Sequence, residues 1–432
     1  MEKEGTAMHL IKSVKTEYRP FFILFAGALL VHLFLPLSWS DDAVFAKEAS
    51  ELTLAAFLNG SSRLLTDTMT YVFARHPFLW RMLNPFVLTI LAVTISRLLA
   101  CKNETLKNTV ISISILYPAM VLVDAGFIAT TVNYLWPVTC GLLCLIPLQR
   151  ECRGGYTKWY AYVCCIPLLF YAVNMEQMCV ILTVLFVGGF LYLCTQKKPS
   201  LYAGLQALLC LASLYYTYYL NCVGDGSRME REISRYFPSF LQLSVWNKVE
   251  LGFSSTFYCL TMDAAYASVA FLVFTLFLAV AVFRKSSKIS FRITAIFPPA
   301  FTVFFVISGL LPAKAVPFLS YVTGGMHQYL VAKATYSFAP LRDLLFIAVC
   351  ICVLCSIGML MCGKQARLTA FVTLAAGLGS RMMMGFSPTV WASGYRTFHI
   401  MLLTFLFCAI MILNQNPQLF IRKEKPVEIF ST

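Results

Sequence analysis

The chain has 432 residues, 59% of them hydrophobic and 12% charged, with a formal net charge of +14. Soluble domains carry about 25% charged residues, so a string of soluble domains is excluded. No low-complexity tract or polar linker divides the sequence, which reads as one transmembrane domain over residues 1–432.

A helix needs about 20 apolar residues to cross the hydrocarbon core. Runs of this kind predict spans over 20–38, 83–100, 109–127, 132–148, 159–173 and 177–195. Six more follow over 201–219, 258–283, 293–311, 342–362, 368–385 and 397–414. The expected fold class is therefore all-α, a polytopic helical bundle of about 12 spans. Charges of both signs precede the first run and no small-residue cleavage site follows it, so it is expected to be retained and not removed as a signal peptide.

Charge then orients the bundle. With the N-terminus in the cytoplasm, the inner segments collect 21 of the 34 basic residues and 7 of the 20 acidic ones, leaving 13 of each outside. The whole +14 falls on one side, as the positive-inside rule requires, and both termini are expected in the cytoplasm. The basic balance is thus a topology signal and no footprint of nucleic acid. The expected location is the cell membrane.

Inner loops are short, whereas 39–82, 220–257 and 312–341 are long and 386–396 is intermediate. Loops on a rigid scaffold carry binding and catalysis, so the extracytoplasmic face is expected to be the working one. The first loop opens Ser38-Trp39-Ser40-Asp41-Asp42. Residues 43–58 and a second stretch from Ser61 or Ser62 to about Arg75 read as amphipathic helices lying at the interface, with Trp39, Phe78 and Trp80 as interfacial aromatics. Most of the 16 cysteines sit in apolar runs, including the Cys352/Cys355 pair, and read as packing residues.

Asp41 and Asp42 lead the candidate residues. A carboxylate at the membrane boundary can act as a general base toward a hydroxyl or bind a divalent cation; the structural alternative is that the pair caps the next helix. Asp124 and Glu176 are ionisable groups at membrane depth, which usually face a cavity or a partner. At the same level lie Asn133, Tyr134, Trp136 and Gln177, amides and aromatic rings of the kind that hold carbohydrate; a satisfied inter-helix polar cluster is the alternative. Arg381 and Arg396 flank the loop 386–395, which contains Tyr395, and arginine suits phosphate. Arg228, Arg231, Arg235, Lys248, Lys314 and Lys333 add outer cations, and His327 stands alone in its loop. No phosphate-binding loop, dinucleotide fingerprint or zinc-hydrolase motif is present.

A dozen spans, an Asp-Asp pair opening the first outer loop, the Asn133-Tyr134-Leu135-Trp136-Pro137 run, Glu176-Gln177 and Tyr395-Arg396 together resemble the GT-C superfamily of membrane glycosyltransferases. More closely, the chain is similar to multi-pass bacterial proteins grouped with Gtr-type glucosyltransferases. The resemblance implies inverting transfer of a sugar from a polyprenyl-phosphate carrier to a glycan or lipid-linked acceptor outside the cytoplasm. Asp41 or Asp42 would be the base, and Arg396, with Arg381, would hold the carrier phosphate. Many members carry a soluble C-terminal domain; here the sequence given runs 18 residues beyond the last expected span, a departure from that pattern. Two alternatives remain: a polysaccharide polymerase or ligase relying on Arg228, Arg231 and Arg235, and a non-enzymatic flippase or transporter of lipid-linked sugars.

Overall fold

The computed structural model describes residues 2–59, 61–99, 104–116, 121, 125–222, 228–309 and 334–419. Asp124, Lys314, His327 and Lys333 lie outside these residues. The described chain is helical, without a strand.

The first helix, α1 (Glu2–Phe34), is followed by the short helices α2 (Ser40–Glu51), α3 (Leu54–Phe57) and α4 (Leu64–Arg75). Next come α5 (Pro77–Leu98) and α6 (Glu104–Ser114). Residues Phe127–Cys152 form α7, whose second turn, Thr131–Leu135, is π-helical. The first half ends with α8 (Trp159–Ala172), α9 (Glu176–Thr195) and α10 (Leu201–Cys222). Helices α11 (Arg228–Tyr236) and α12 (Val245–Thr261) follow. The second half then adds α13 (Tyr266–Lys285), α14 (Ile289–Gly309), α15 (Pro340–Leu360), α16 (Lys364–Met382) and α17 (His399–Gln415).

Local chemistry sets many of these boundaries. Proline occupies the first turn of α5 and α15, where its missing N–H is no loss. Ser244 caps α12 by accepting from the Asn247 N–H at 3.2 Å. Gly363, with φ +87°, turns the chain into α16 in a conformation suited to glycine.

Among the described residues nine helices are long and apolar enough to cross a membrane, which makes this a multi-pass helical membrane architecture. Of the other expected spans, 109–127 lies partly outside the described residues, with α6 described to Ser114, and α8 has 14 residues. Helix α10 is 22 residues long, but Gln206, Tyr215, Tyr216, Tyr218 and Tyr219 dilute its hydropathy. The predicted span 258–283 is broken at 262–265, so that Phe257–Thr261 end one helix and the crossing begins at Tyr266.

In the first long loop, the stretch 43–58 is two helices separated by Leu52 and the cap Thr53, whose hydroxyl accepts from the Ala56 N–H at 3.4 Å. Trp80 is fully buried and not interfacial: its Nε1–H donates to Thr131 Oγ1 at 2.8 Å and its ring packs on His32 and Phe127. The indole hydrogen bond offsets the cost of burying that N–H.

Two apolar cores run side by side, one built from α1 and α5 to α10, the other from α12 to α16. Helix α17 serves both: Met401, Leu402, Phe405, Cys408 and Ile412 enter the second core, while Ile400, Leu403, Leu406 and Ile410 enter the first. The helix that begins beside Arg396 is therefore apolar all round and clamped between the halves, a rigid mount for the residues at its start.

Candidate functional site

A cavity of about 770 Å³ opens where the first long loop, the starts of α7 and α9, helix α11 and the segment before α17 converge. Eight sequence-predicted residues line it: Asp41, Asn133, Tyr134, Glu176, Gln177, Arg231, Arg235 and Arg396. Its charged lining is balanced, with Asp41, Asp67, Glu176 and Glu232 against Arg63, Arg231, Arg235 and Arg396.

The adjacent aspartates have different surroundings. Ser40 enters α2 in the left-handed region, with φ +53°. Asp42 is 3% exposed and reaches across to the start of α7. Its Oδ2 accepts from the Phe127 and Ile128 N–H groups at 2.6 and 3.1 Å, and its Oδ1 from the Ala129 N–H at 2.9 Å. These are the orphan donors of a helix start, satisfied by a carboxylate 85 to 87 residues away. Gly126 precedes them at φ +99°, and a Cβ there would lie 2.7 Å from the Asp42 carboxyl carbon. Burial pushes the Asp42 carboxyl up from its ordinary range, against the pull of the three N–H groups. Asp42 caps a helix, though not the one that follows it.

Asp41 faces the cavity instead. Its Oδ2 accepts from Arg396 Nη1 at 2.8 Å, with side-chain exposures of 41% and 22%. The Arg396 Nε is buried with no hydrogen-bond partner.

A second ion pair, Arg63 with Glu176, lines the same cavity, as does Tyr134. Arg63 grips Glu176 with two bonds, Nε to Oε1 at 3.0 Å and Nη2 to Oε2 at 2.6 Å. Asn174 Oδ1 accepts from the Leu65 N–H at 2.9 Å, so the turn before α9 docks the start of α4 twice. Ser61 ties the same corner, donating to Asp67 at 2.5 Å and accepting from the Arg63 N–H at 2.9 Å. Arg63 was not singled out from the sequence, where it lies among polar residues of an amphipathic helix.

The π-helical turn of α7 presents Asn133 and Tyr134. Such turns recur at functional sites because they shift side chains off the regular helical register. This one is braced by Tyr171, whose hydroxyl donates to the Val132 carbonyl at 3.0 Å, and by Trp80 at Thr131.

The remaining candidates lie away from the cavity lining. Trp136 donates to Asn84 Oδ1 at 2.9 Å and packs against Phe73. Arg381 is 1% exposed, donates to the Val390 carbonyl at 3.1 Å and lies over the Phe398 ring at 4.7 Å. The Tyr395 hydroxyl donates to Asp263. Among the described residues no three His, Cys, Asp or Glu side chains gather to hold a metal ion, and the described cysteines, Cys352 and Cys355 included, are free thiols.

No protein-family model, curated protein or solved structure matches this chain.

Proposed function

We propose that this protein is a membrane glycosyltransferase of the GT-C kind, moving a sugar from a polyprenyl-phosphate carrier to a glycan or lipid-linked acceptor outside the cytoplasm. The observation that supports it best is Asp41: a carboxylate on the cavity wall, fixed by its buried neighbour Asp42 and partnered by Arg396. In this reading Asp41 takes the proton of the acceptor hydroxyl as its oxygen attacks the anomeric carbon. The bond from that carbon to the phosphate oxygen breaks, and polyprenyl phosphate leaves with the electron pair. A placed carboxylate base contributes typically 10²–10⁴-fold. The Arg396 Nε, a buried donor without an acceptor, suits a phosphate oxygen. With both termini cytoplasmic, as the +14 charge bias favours, the cavity faces outward at headgroup level.

One observation favours a second reading, a polysaccharide polymerase or ligase: Arg231 and Arg235 of α11 line the same cavity. Purified protein in liposomes, given labelled polyprenyl-phosphate sugar and membrane extract as acceptor, separates the readings. Transfer that requires Asp41 supports the first, and transfer that requires only Arg231 and Arg235 supports the second. Movement of intact lipid across the bilayer without bond exchange contradicts both and indicates a flippase.

A further inference from the structure

Two side chains in the cavity wall have one amide atom satisfied and the other left over. Gln177, in the first turn of α9, is 5% exposed, and its Nε2 donates to the Ser380 carbonyl at 2.8 Å and the Thr397 carbonyl at 3.4 Å. Asn133, on the π-helical turn, is 8% exposed, and its Nδ2 donates to the Ala129 carbonyl at 2.7 Å. Carbonyl oxygens only accept, so turning either amide over would set oxygen against oxygen. The backbone therefore fixes which atom is left: Asn133 Oδ1 and Gln177 Oε1, both buried and both without a hydrogen-bond partner.

A buried polar atom left unmatched loses its bonds to water without replacing them. Two of them, carried by separate helices that border one cavity, point to a ligand that supplies donors. Their chemistry is selective, because an ionised phosphate oxygen has no proton to give and is repelled by a carbonyl oxygen, whereas a hydroxyl donates.

We propose that Asn133 and Gln177 form a hydroxyl-binding subsite for a neutral polyhydroxylated ring, a monosaccharide unit, distinct in role from the cations of the same cavity. Naming the ring a sugar rests on the glycosyl-transfer reading; the acceptor geometry does not. Once filled, the subsite holds the ring by hydroxyl bonds to the two amide oxygens and leaves anionic groups to Arg396 and the arginines of α11.

Saturation-transfer NMR on the full chain in nanodiscs tests this, with methyl glycosides of the common hexoses and N-acetylhexosamines as probes. At least one glycoside is expected to bind. Its deoxyfluoro analogues keep the shape but cannot donate, and at one ring position the substitution should weaken binding by about tenfold. Gln177→Met, of similar length but without the amide, should abolish that discrimination. The fluoro comparison needs no variant and stands if Gln177→Met fails to fold. Absence of binding by every glycoside, or equal binding of parent and all deoxyfluoro analogues, overturns the subsite. Glycoside binding without any sugar transfer would preserve the subsite and remove the transferase reading instead.

Discussion

Asp41 and Arg396 stand 355 positions apart in sequence and meet at 2.8 Å on the wall of one cavity. Asp41 lies in α2, in the first long loop, and Arg396 in the turn just before α17, so the pair joins that loop to the helix shared by the two cores. The neighbouring Asp42 makes this possible by anchoring α2 to α7, and the two aspartates should respond differently to mutation.

Asp42→Ala is expected to destabilise the protein by about 2 kcal/mol, at the upper end of helix-cap losses, since three main-chain N–H groups lose their acceptor. Asp41→Asn, at a half-exposed site, should leave the melting temperature near wild type. Thermal unfolding followed by tryptophan fluorescence distinguishes them, and equal losses in both would contradict the separation of roles.

Gly126→Ala acts on the same cap from the other side. The left-handed φ of +99° disfavours any side chain, and the new Cβ would press on the Asp42 carboxyl. The expected result is a loss resembling Asp42→Ala and far from additive with it in the double variant. Full additivity would mean the two residues act separately.

The Arg63–Glu176 pair should show coupling of about 1–2 kcal/mol in a double-mutant cycle with Arg63→Met and Glu176→Gln, because its geometry is bidentate and partly shielded from water. Coupling near zero would place it with ordinary surface pairs.

Stability should also fall as pH rises toward neutrality. Glu250, on α12 and outside the nine crossing helices, accepts from Arg342 at 2.7 Å, and Arg342 also reaches Asp343 at 2.9 Å. Burial, and then the Asp343 charge, push the Glu250 carboxyl up from 4.5 to about 7. The folded state thus holds this proton more tightly than the unfolded one between these values. Stability declines across that window and levels off above it. Glu250→Gln should flatten the decline in melting temperature between pH 5 and 8; an unchanged slope would assign the effect to other groups.

The helical class and nine of the crossings were legible in the sequence because apolar length is a local property, as is the identity of the residues at the membrane boundary. What was not legible depends on contacts between distant segments. Asp42 looked equivalent to Asp41 until the start of α7, more than 80 residues on, claimed it. Arg63 looked like one more polar residue on an amphipathic helix until Glu176 met it 113 residues away. Trp80 matched an interfacial aromatic by position, yet Thr131 supplied the acceptor that lets it be buried. Hydropathy likewise could not separate the end of α12 from the crossing that follows, since both are apolar and only a four-residue turn parts them.

The most direct test of the central proposal is the initial rate of sugar transfer from labelled polyprenyl-phosphate sugar by purified wild type and by Asp41→Asn, at matched folded protein. The account predicts a loss of 10²-fold or more in the variant with its melting temperature retained. Transfer by Asp41→Asn at the wild-type rate would contradict it.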